Sequence, residues 1–279
     1  RHHGMRLHYQ LIDLDRSASS PEQLPTLLAA ARIMGYAGCN VTYPCKQAVI
    51  PHLDRLSEEA RAMGAVNTVV VEDGQLVGHN TDGSGWAWGF KRALPHANLG
   101  RVVLLGAGGA GAAIAHAVLR LGAQHLSIVD AQPERAAQLA RDVNALYGDR
   151  AEAADIGAAM AQATGLIHAT PTGMDKLPGL PLDAQLLRPT MWVSEVVYFP
   201  LDTALLKAAR AMGCSVSDGG GMAVGQAVGA FELFTGVTPD ASRMDAHFRR
   251  LVSGLCRTPP PRCAPCPPLT HPAHRSTNP

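Results

Sequence analysis

The sequence predicts an α/β protein of two domains: an N-terminal α/β substrate domain and a Rossmann-type dinucleotide-binding domain. Residues 102–130 read, without interruption, as strand, glycine turn, helix, strand, acid. Elsewhere, short β-branched runs alternate with Ala- and Leu-rich helical stretches, the pattern of strands covered by helices. The chain has 279 residues, 47% hydrophobic and 17% charged, which is enough apolar material for two medium-sized cores.

In chain order, residues 7–12 alternate loosely and predict a strand. Ser19, Ser20, Pro21 and Glu22 start a helix that runs through Leu24, Leu28 and Ala31 to Met34 and stops at Gly35. Residues 38–42 form a short strand, and Lys46 opens a helix past Val49, Ile50 and Leu53. Residues 57–63 are helical and stop at Gly64. Residues 66–71 are a clear strand, Asp73-Gly74 is a hairpin turn, and residues 76–79 are the returning strand. Asn80, Thr81, Asp82 and Gly83 make a polar loop before a helix over 84–94 and a linker at 95–98. After the glycine unit come helices over 133–146, 202–212, 222–234 and 244–255, and strands over 166–169 and 191–197. From Arg257 to Pro279 the chain is Pro-rich without apolar periodicity and reads as a disordered tail. The expected division is 1–96 for the substrate domain, completed by helices within 222–255, and 97–221 for the cofactor domain.

The glycine unit carries the most specific chemistry. Gly106, Gly108 and Gly111 fit G-x-G-x-x-G: a tight turn, a close approach to a pyrophosphate, and close packing of helix on strand. The helix that follows presents free N–H groups and its positive end to phosphate. Asp130 lies 19 residues after Gly111, where a carboxylate accepts hydrogen bonds from both ribose hydroxyls and repels a 2′-phosphate. The cofactor expected is therefore NAD.

Three polar patches precede it at strand ends: Asn40/Thr42/Lys46, Asn67/Thr68 and Asn80/Thr81/Asp82. Ligands collect at the carboxyl ends of strands in α/β sheets. Amides, hydroxyls, one ammonium and one carboxylate suit a polyhydroxylated small molecule. Oxidising a secondary alcohol requires a base for the hydroxyl proton; a partly buried lysine steered by a carboxylate can serve. On spacing alone, a lone Lys such as Lys46 at a helix start is more often a solvated charge, and an Asp before Gly such as Asp82 is more often a turn residue.

These residues also resemble a known family, the shikimate/quinate dehydrogenases. Gly38-Cys39-Asn40-Val41-Thr42-Tyr43-Pro44-Cys45-Lys46 is similar to its G-x-N-V-T-x-P-x-K signature. Gly64-Ala65-Val66-Asn67-Thr68, Gly78-His79-Asn80-Thr81-Asp82-Gly83 and Gly106-Ala107-Gly108-Gly109-Ala110 resemble its next motifs. So do Ala169-Thr170-Pro171-Thr172-Gly173-Met174, Tyr198-Phe199-Pro200-Leu201-Asp202-Thr203, and the run from Asp218 through Gly219 to Gln226. The resemblance spans about residues 5–253. It implies that Lys46 is the general base and Asp82 its partner. Thr42, Asn67, Tyr198 and Gln226 would meet the substrate. Gly106, Gly108, Gly109 and Ala110 would hold the pyrophosphate, with Asp130 and Arg135 at the adenosine. Thr170, Thr172, Val196 and Gly219 would line the nicotinamide. NADP-dependent members carry Asn-Arg-Thr after the second strand of the unit; Asp130-Ala131-Gln132 is similar instead to the NAD-preferring quinate/shikimate branch. The implied reaction is reversible oxidation of the C3 hydroxyl of quinate and/or shikimate. The alternatives are an NADP-dependent shikimate dehydrogenase of aromatic amino-acid biosynthesis and a catalytically impaired, cofactor-binding paralogue.

Two departures stand out. The family opens with a strand and a Ser-x-Ser/Thr clamp for the substrate carboxylate; Arg1-His2-His3-Gly4 is similar to the end of the family's first helix, beyond that clamp. Ser17, Ser19 and Ser20 are misplaced for it and suit helix capping, so weak activity is expected of the chain as it stands. Glu195 occupies a position where the family has Asp.

A net charge of +1 argues against a nucleic-acid or anionic-membrane partner, and no apolar run reaches the length of a span. The expected partner is a small molecule, and the chain a monomer or homo-oligomer. Twelve scattered histidines without H-E-x-x-H predict no metal. Cys39, Cys45, Cys214, Cys256, Cys263 and Cys266 are irregularly spaced, as free thiols of a cytoplasmic protein are.

Overall fold

Two sheets organise the chain in the computed structural model, which describes residues 3–14 and 20–255. Ser17, Ser19, Cys256, Cys263, Cys266 and the Pro-rich tail lie outside the described residues. The first part of the chain supplies α1 (Leu24–Ile33), β1 (Gly38–Asn40), α2 (Cys45–Ala48), β2 (Arg55–Leu56), α3 (Glu58–Met63), β3 (Thr68–Glu72), β4 (Gln75–His79) and α4 (Asp82–Ala93). Its four-stranded sheet has the order β1-β3-β4-β2; β3 and β4 form an antiparallel hairpin and β2 runs parallel to β4. Asp73 and Gly74 both have positive φ, as the hairpin turn requires. Val41, Val49, Val66, Val69 and Leu28 fill the core between this sheet and α1.

The second sheet is built from β5 (Arg101–Leu105), α5 (Gly109–Arg120), β6 (His125–Val129), α6 (Pro133–Tyr147), β7 (Ala151–Ala153), α7 (Ile156–Gln162), β8 (Gly165–His168), β9 (Trp192–Glu195), α8 (Ala204–Ala211) and β10 (Ser215–Ser217). Its order is β10-β9-β8-β5-β6-β7 and every pairing is parallel. Strand order therefore reverses beside β5, the place where such sheets hold nucleotides. One face buries Ile114, Val118, Leu126 and Ile128 against α5 and α6; the other buries Met160, Leu166, Val193 and Leu205. Finally α9 (Gly220–Thr235) returns to α4, and α10 (Ala241–Leu255) packs on α9. Among the described residues no helix is long and apolar enough to cross a membrane.

Several elements differ from expectation. Residues 7–12 form no strand: among the described residues no sheet ladder includes them, and Leu7, Tyr9, Leu11 and Ile12 are exposed. Alternation without an apolar face to cover does not hold a strand. The helix at Lys46 lasts only through Ala48 and passes into a 3-10 turn at Ile50–His52, because Pro51 cannot continue an α-helical ladder. The polar loop at 80–83 is shorter than expected: Asn80 Oδ1 accepts from the Asp82 N–H at 2.9 Å and the helix begins at Asp82. The short β2, β7 and α7 carry too little apolar pattern to be read in sequence.

The contact between α4 and α9 is made of glycine. A Cβ at Gly85 would sit 2.4 Å from the Gln226 backbone nitrogen, and one at Gly89 2.6 Å from the Gly221 carbonyl carbon. The helices meet backbone to backbone, which holds Gln226 against the substrate-side elements. Gly85→Ala is expected to cost about 1–3 kcal/mol, the usual penalty of overpacking, and to lower the melting temperature by several degrees. Scanning calorimetry checks this; an unchanged transition would mean that the helices have room to separate.

His116 supplies a pH prediction. It is 2% exposed on α5, its Nδ1 is 3.2 Å from the Tyr147 hydroxyl, and its Nε2 is buried with no hydrogen-bond partner among the described residues. Burial, helped by Arg120, lowers its pKa from 6.5; the Ala62 backbone and Asp142 oppose this. The unfolded chain therefore takes the proton first as pH falls. The stability that His116 contributes is complete above about pH 6.5 and is lost as pH drops through the lower folded value. His116→Phe is expected to flatten the fall of melting temperature between about pH 7 and 5. Parallel profiles for the two proteins would remove His116 as the cause.

Candidate active site

The start of β3, the end of β4 and the starts of α2 and α4 converge on one polar cluster. Lys46, on α2, places its Nζ 2.6 Å from Asp82 Oδ2. The Asp82 side chain is 2% exposed and the Lys46 side chain 20%, so the carboxylate is nearly covered and the ammonium is the more open of the two. Asn67, just before β3, donates through Nδ2 to Asp82 Oδ1 at 2.9 Å, to Thr81 Oγ1 at 3.0 Å and to Gln226 Oε1 at 3.2 Å. Its Oδ1 accepts from the Thr81 N–H at 2.9 Å and the Thr68 hydroxyl at 3.0 Å. Asn80 donates to the Ala65 carbonyl at 2.9 Å. Both Asp82 oxygens thus have donors, and the buried charge is hydrogen-bonded as well as paired.

The glycine turn faces this cluster. Gly106 has φ +109°, and a Cβ there would strike the Ala169 carbonyl oxygen at 2.7 Å. At Gly111 a Cβ would lie 2.0 Å from the Gly106 carbonyl oxygen. At Gly108, by contrast, it would meet nothing within 4 Å: the turn is open on the side where a phosphate would approach. That division of labour is what a pyrophosphate cradle needs. A Cβ at Gly109 would come within 3.7 Å of Lys46 Cδ, so the start of α5 touches the lysine. Asp130, just beyond β6, accepts from the Ala107 N–H at 2.7 Å through Oδ2 and from the Gln132 N–H at 2.9 Å through Oδ1. Its carboxylate stands at the mouth of the turn with lone pairs left for a ribose.

On the other side of β5 lie Thr170, Val196 and Gly219, after β8, β9 and β10. A Cβ at Gly106 would come within 3.0 Å of Thr170 Cγ2, and one at Gly219 within 2.5 Å of the Val196 carbonyl oxygen. Thr172 and Ala110 are half-buried nearby in chain. The structure therefore gathers Lys46, Asp82, Asn67 and Gln226 by hydrogen bonds and sets the glycine turn against them. Among the described residues no side-chain hydrogen bond ties Thr42, Tyr198 or Arg135 to this cluster: Thr42 and Arg135 are exposed, and Tyr198 is 50% exposed.

Behind Thr170 lies a buried pair whose meeting no sequence spacing predicts. His168 and Glu195, the last residues of β8 and β9, are opposite each other in register, and both side chains are fully buried. The signal was there: two apolar strands of one parallel sheet each end in a charged or titratable residue. Only the strand pairing reveals that the two ends meet.

Comparison with known proteins agrees with this geometry. Residues 1–69 match the family model described as "Shikimate dehydrogenase substrate binding domain", and residues 219–247 match "Shikimate 5'-dehydrogenase C-terminal domain". The chain is 58% identical over 253 residues to a Streptomyces avermitilis protein named shikimate dehydrogenase (NADP(+)), covering 89% of this chain and 87% of that one. It is 47% identical over 248 residues to a quinate/shikimate dehydrogenase (NAD(+)) of Corynebacterium glutamicum strain R, covering 87% and 88%. Among solved structures, quinate dehydrogenase from Corynebacterium glutamicum in complex with NAD superimposes with a TM-score of 0.79 at 47% identity, covering 86% of each chain.

Proposed function

The chain belongs to the shikimate dehydrogenase family, and we propose that it oxidises the C3 hydroxyl of quinate and/or shikimate reversibly to the 3-dehydro ketone with NAD. The observation that carries the reading is the Lys46–Asp82 pair, 2.6 Å apart, lying against the start of the helix that follows the glycine turn. Residues 1–96, completed by helices within 222–255, bind the substrate; residues 97–221 hold the dinucleotide. Thr42, Asn67, Tyr198 and Gln226 contact the substrate with Lys46 and Asp82. Gly106, Gly108, Gly109 and Ala110 receive the pyrophosphate, Asp130 and Arg135 the adenosine, and Thr170, Thr172, Val196 and Gly219 the nicotinamide.

The bound dinucleotide supplies the hydride acceptor. Lys46 handles the proton: its amine takes it from the alcohol oxygen, and in the reverse direction its ammonium returns it to the carbonyl oxygen. Asp82 fixes the direction in which Nζ points and accepts from a neighbouring hydroxyl. Asn67 holds Asp82 and Gln226 in one network, so a polyol meets a preformed set of donors and acceptors.

Asp130 supports NAD, since a carboxylate at the adenosine ribose opposes a 2′-phosphate. The NADP-dependent reading is favoured by the names of three relatives, the 58% identical Streptomyces avermitilis protein and two at 48% identity. Initial rates with quinate and shikimate, each with NAD and NADP, decide. Turnover with NAD at least about ten-fold more efficient than with NADP is the expected result; the opposite ratio establishes the second reading, and no oxidation of either acid refutes both. The free thiols of Cys39, Cys45 and Cys214 suit a cytoplasmic enzyme.

A further inference from the structure

The His168–Glu195 pair is buried, and the proton transfer described above makes no use of it. Glu195 Oε1 accepts from the Val196 N–H at 2.8 Å and the Val197 N–H at 3.0 Å, and Oε2 accepts from the Thr203 hydroxyl at 2.9 Å. His168 Nδ1 is 2.8 Å from Oε1. With its other neighbours all donors, this carboxylate calls for a hydrogen on Nδ1 as well. A ring that carries its one hydrogen on Nδ1 leaves Nε2 bare, and Thr170 Oγ1 lies 2.5 Å from it. The Thr170 hydroxyl then spends its one hydrogen inward, on His168.

That count decides what Thr170 offers outward. A threonine hydroxyl has one hydrogen and two lone pairs. The hydrogen goes to His168, and one lone pair takes the Thr172 N–H at 3.3 Å. The second lone pair remains, on a half-buried side chain beside Gly106. Thr170 is thus an acceptor, and not a donor, toward the cleft.

We propose that His168, oriented by Glu195, is a positioning residue that sets Thr170 as the hydrogen-bond acceptor for the amide N–H2 of the nicotinamide ring. This rests on the dinucleotide reading of the site given above. Thr170 is the group that touches the cofactor; His168 and Glu195 act through it. The same carboxylate ties the backbone of Val196 and Val197, so one buried charge aligns both sides of the proposed nicotinamide wall.

The test uses dissociation constants for two reduced dinucleotides, NADH and its 3-acetylpyridine analogue, in which the amide nitrogen is replaced by a methyl group and the carbonyl is kept. The wild-type chain is expected to bind NADH about five- to ten-fold tighter than the analogue, the size of one hydrogen bond. Thr170→Val should abolish that preference by weakening NADH alone, and Thr170→Ser should keep it. His168→Phe should abolish it as well, while Glu195→Gln, whose Oε1 still accepts from Nδ1, should retain it. Equal weakening of both dinucleotides, or an unchanged preference in Thr170→Val, overturns the proposal. Should His168→Phe fail to fold, the imidazole nitrogen shifts of the wild-type protein give the second readout: a hydrogen on Nδ1 with a bare Nε2 is expected, and a hydrogen on Nε2 overturns it. Because binding is measured without turnover, failure to oxidise quinate or shikimate would refute the proposed reaction and leave this result to be judged separately.

Discussion

Lys46→Ala is expected to lower kcat by about 10²–10⁴-fold in both directions, the range that a positioned acid–base group contributes, and to leave dinucleotide affinity nearly unchanged. The lysine side chain is 20% exposed and its Nζ bonds to Asp82 alone among the described residues, so truncation removes a proton carrier without opening a core. Lys46→Arg should not rescue, because a guanidinium stays protonated and cannot receive the alcohol proton. Asp82→Asn should fall less far in kcat, since the amine remains, but should raise KM, since the buried position loses its charge and Asn67 loses a charged acceptor. Steady-state rates paired with a fluorescence titration of NADH separate the two effects. Turnover within ten-fold of the wild type in Lys46→Ala would remove Lys46 from the chemistry and favour a cofactor-binding protein that uses the cleft for something else.

The parts of this molecule that are legible in sequence are those whose demands are local. Gly106 must be glycine because its φ is +109°, and Gly111 because its neighbour's carbonyl would collide with any side chain. Both constraints arise within a few residues, so spacing alone exposes them. Asp130 is local in the same sense: it follows the strand that pairs with β5. The Lys46–Asp82 meeting is different. The two are 36 positions apart, and each alone reads as an ordinary surface residue; family motifs point to the pair, and the hairpin of β3 and β4 brings it together. Gln226 lies farther still, 159 residues from Asn67, and reaches it because α4 and α9 touch through glycine. No periodicity announces that contact. The His168–Glu195 pair escapes for a related reason: each residue ends a hydrophobic strand, and only the parallel register of β8 on β9 puts them side by side. Residues 7–12 fail in the opposite direction, because loose alternation mimics a strand where, among the described residues, no sheet edge takes it up.

Asp130→Asn should turn the dinucleotide preference. In the wild-type chain the carboxylate is anchored by the Ala107 and Gln132 N–H groups, and its free lone pairs face the mouth of the glycine turn. Asparagine keeps one oxygen for the Ala107 N–H, so the turn is held, but it carries no charge. For NAD, a charge-assisted hydrogen bond to the ribose becomes a neutral one, and kcat/KM is expected to fall about ten-fold. For NADP, the change acts in the other direction. A 2′-phosphate brings close to two negative charges to within a few ångströms of this position, and the carboxylate that opposed it is gone. The start of α6 supplies its positive end, and Arg135, exposed in the first turn of that helix, is free to reach the phosphate. Together the two effects should move the ratio of NADP to NAD efficiency by about 10²-fold or more. Adding Arg135→Ala to the asparagine variant should take back part of the NADP gain and leave NAD alone. A ratio that stays where it was in Asp130→Asn would show that the adenosine sugar lies elsewhere, and with it the assignment of this turn to NAD would fall.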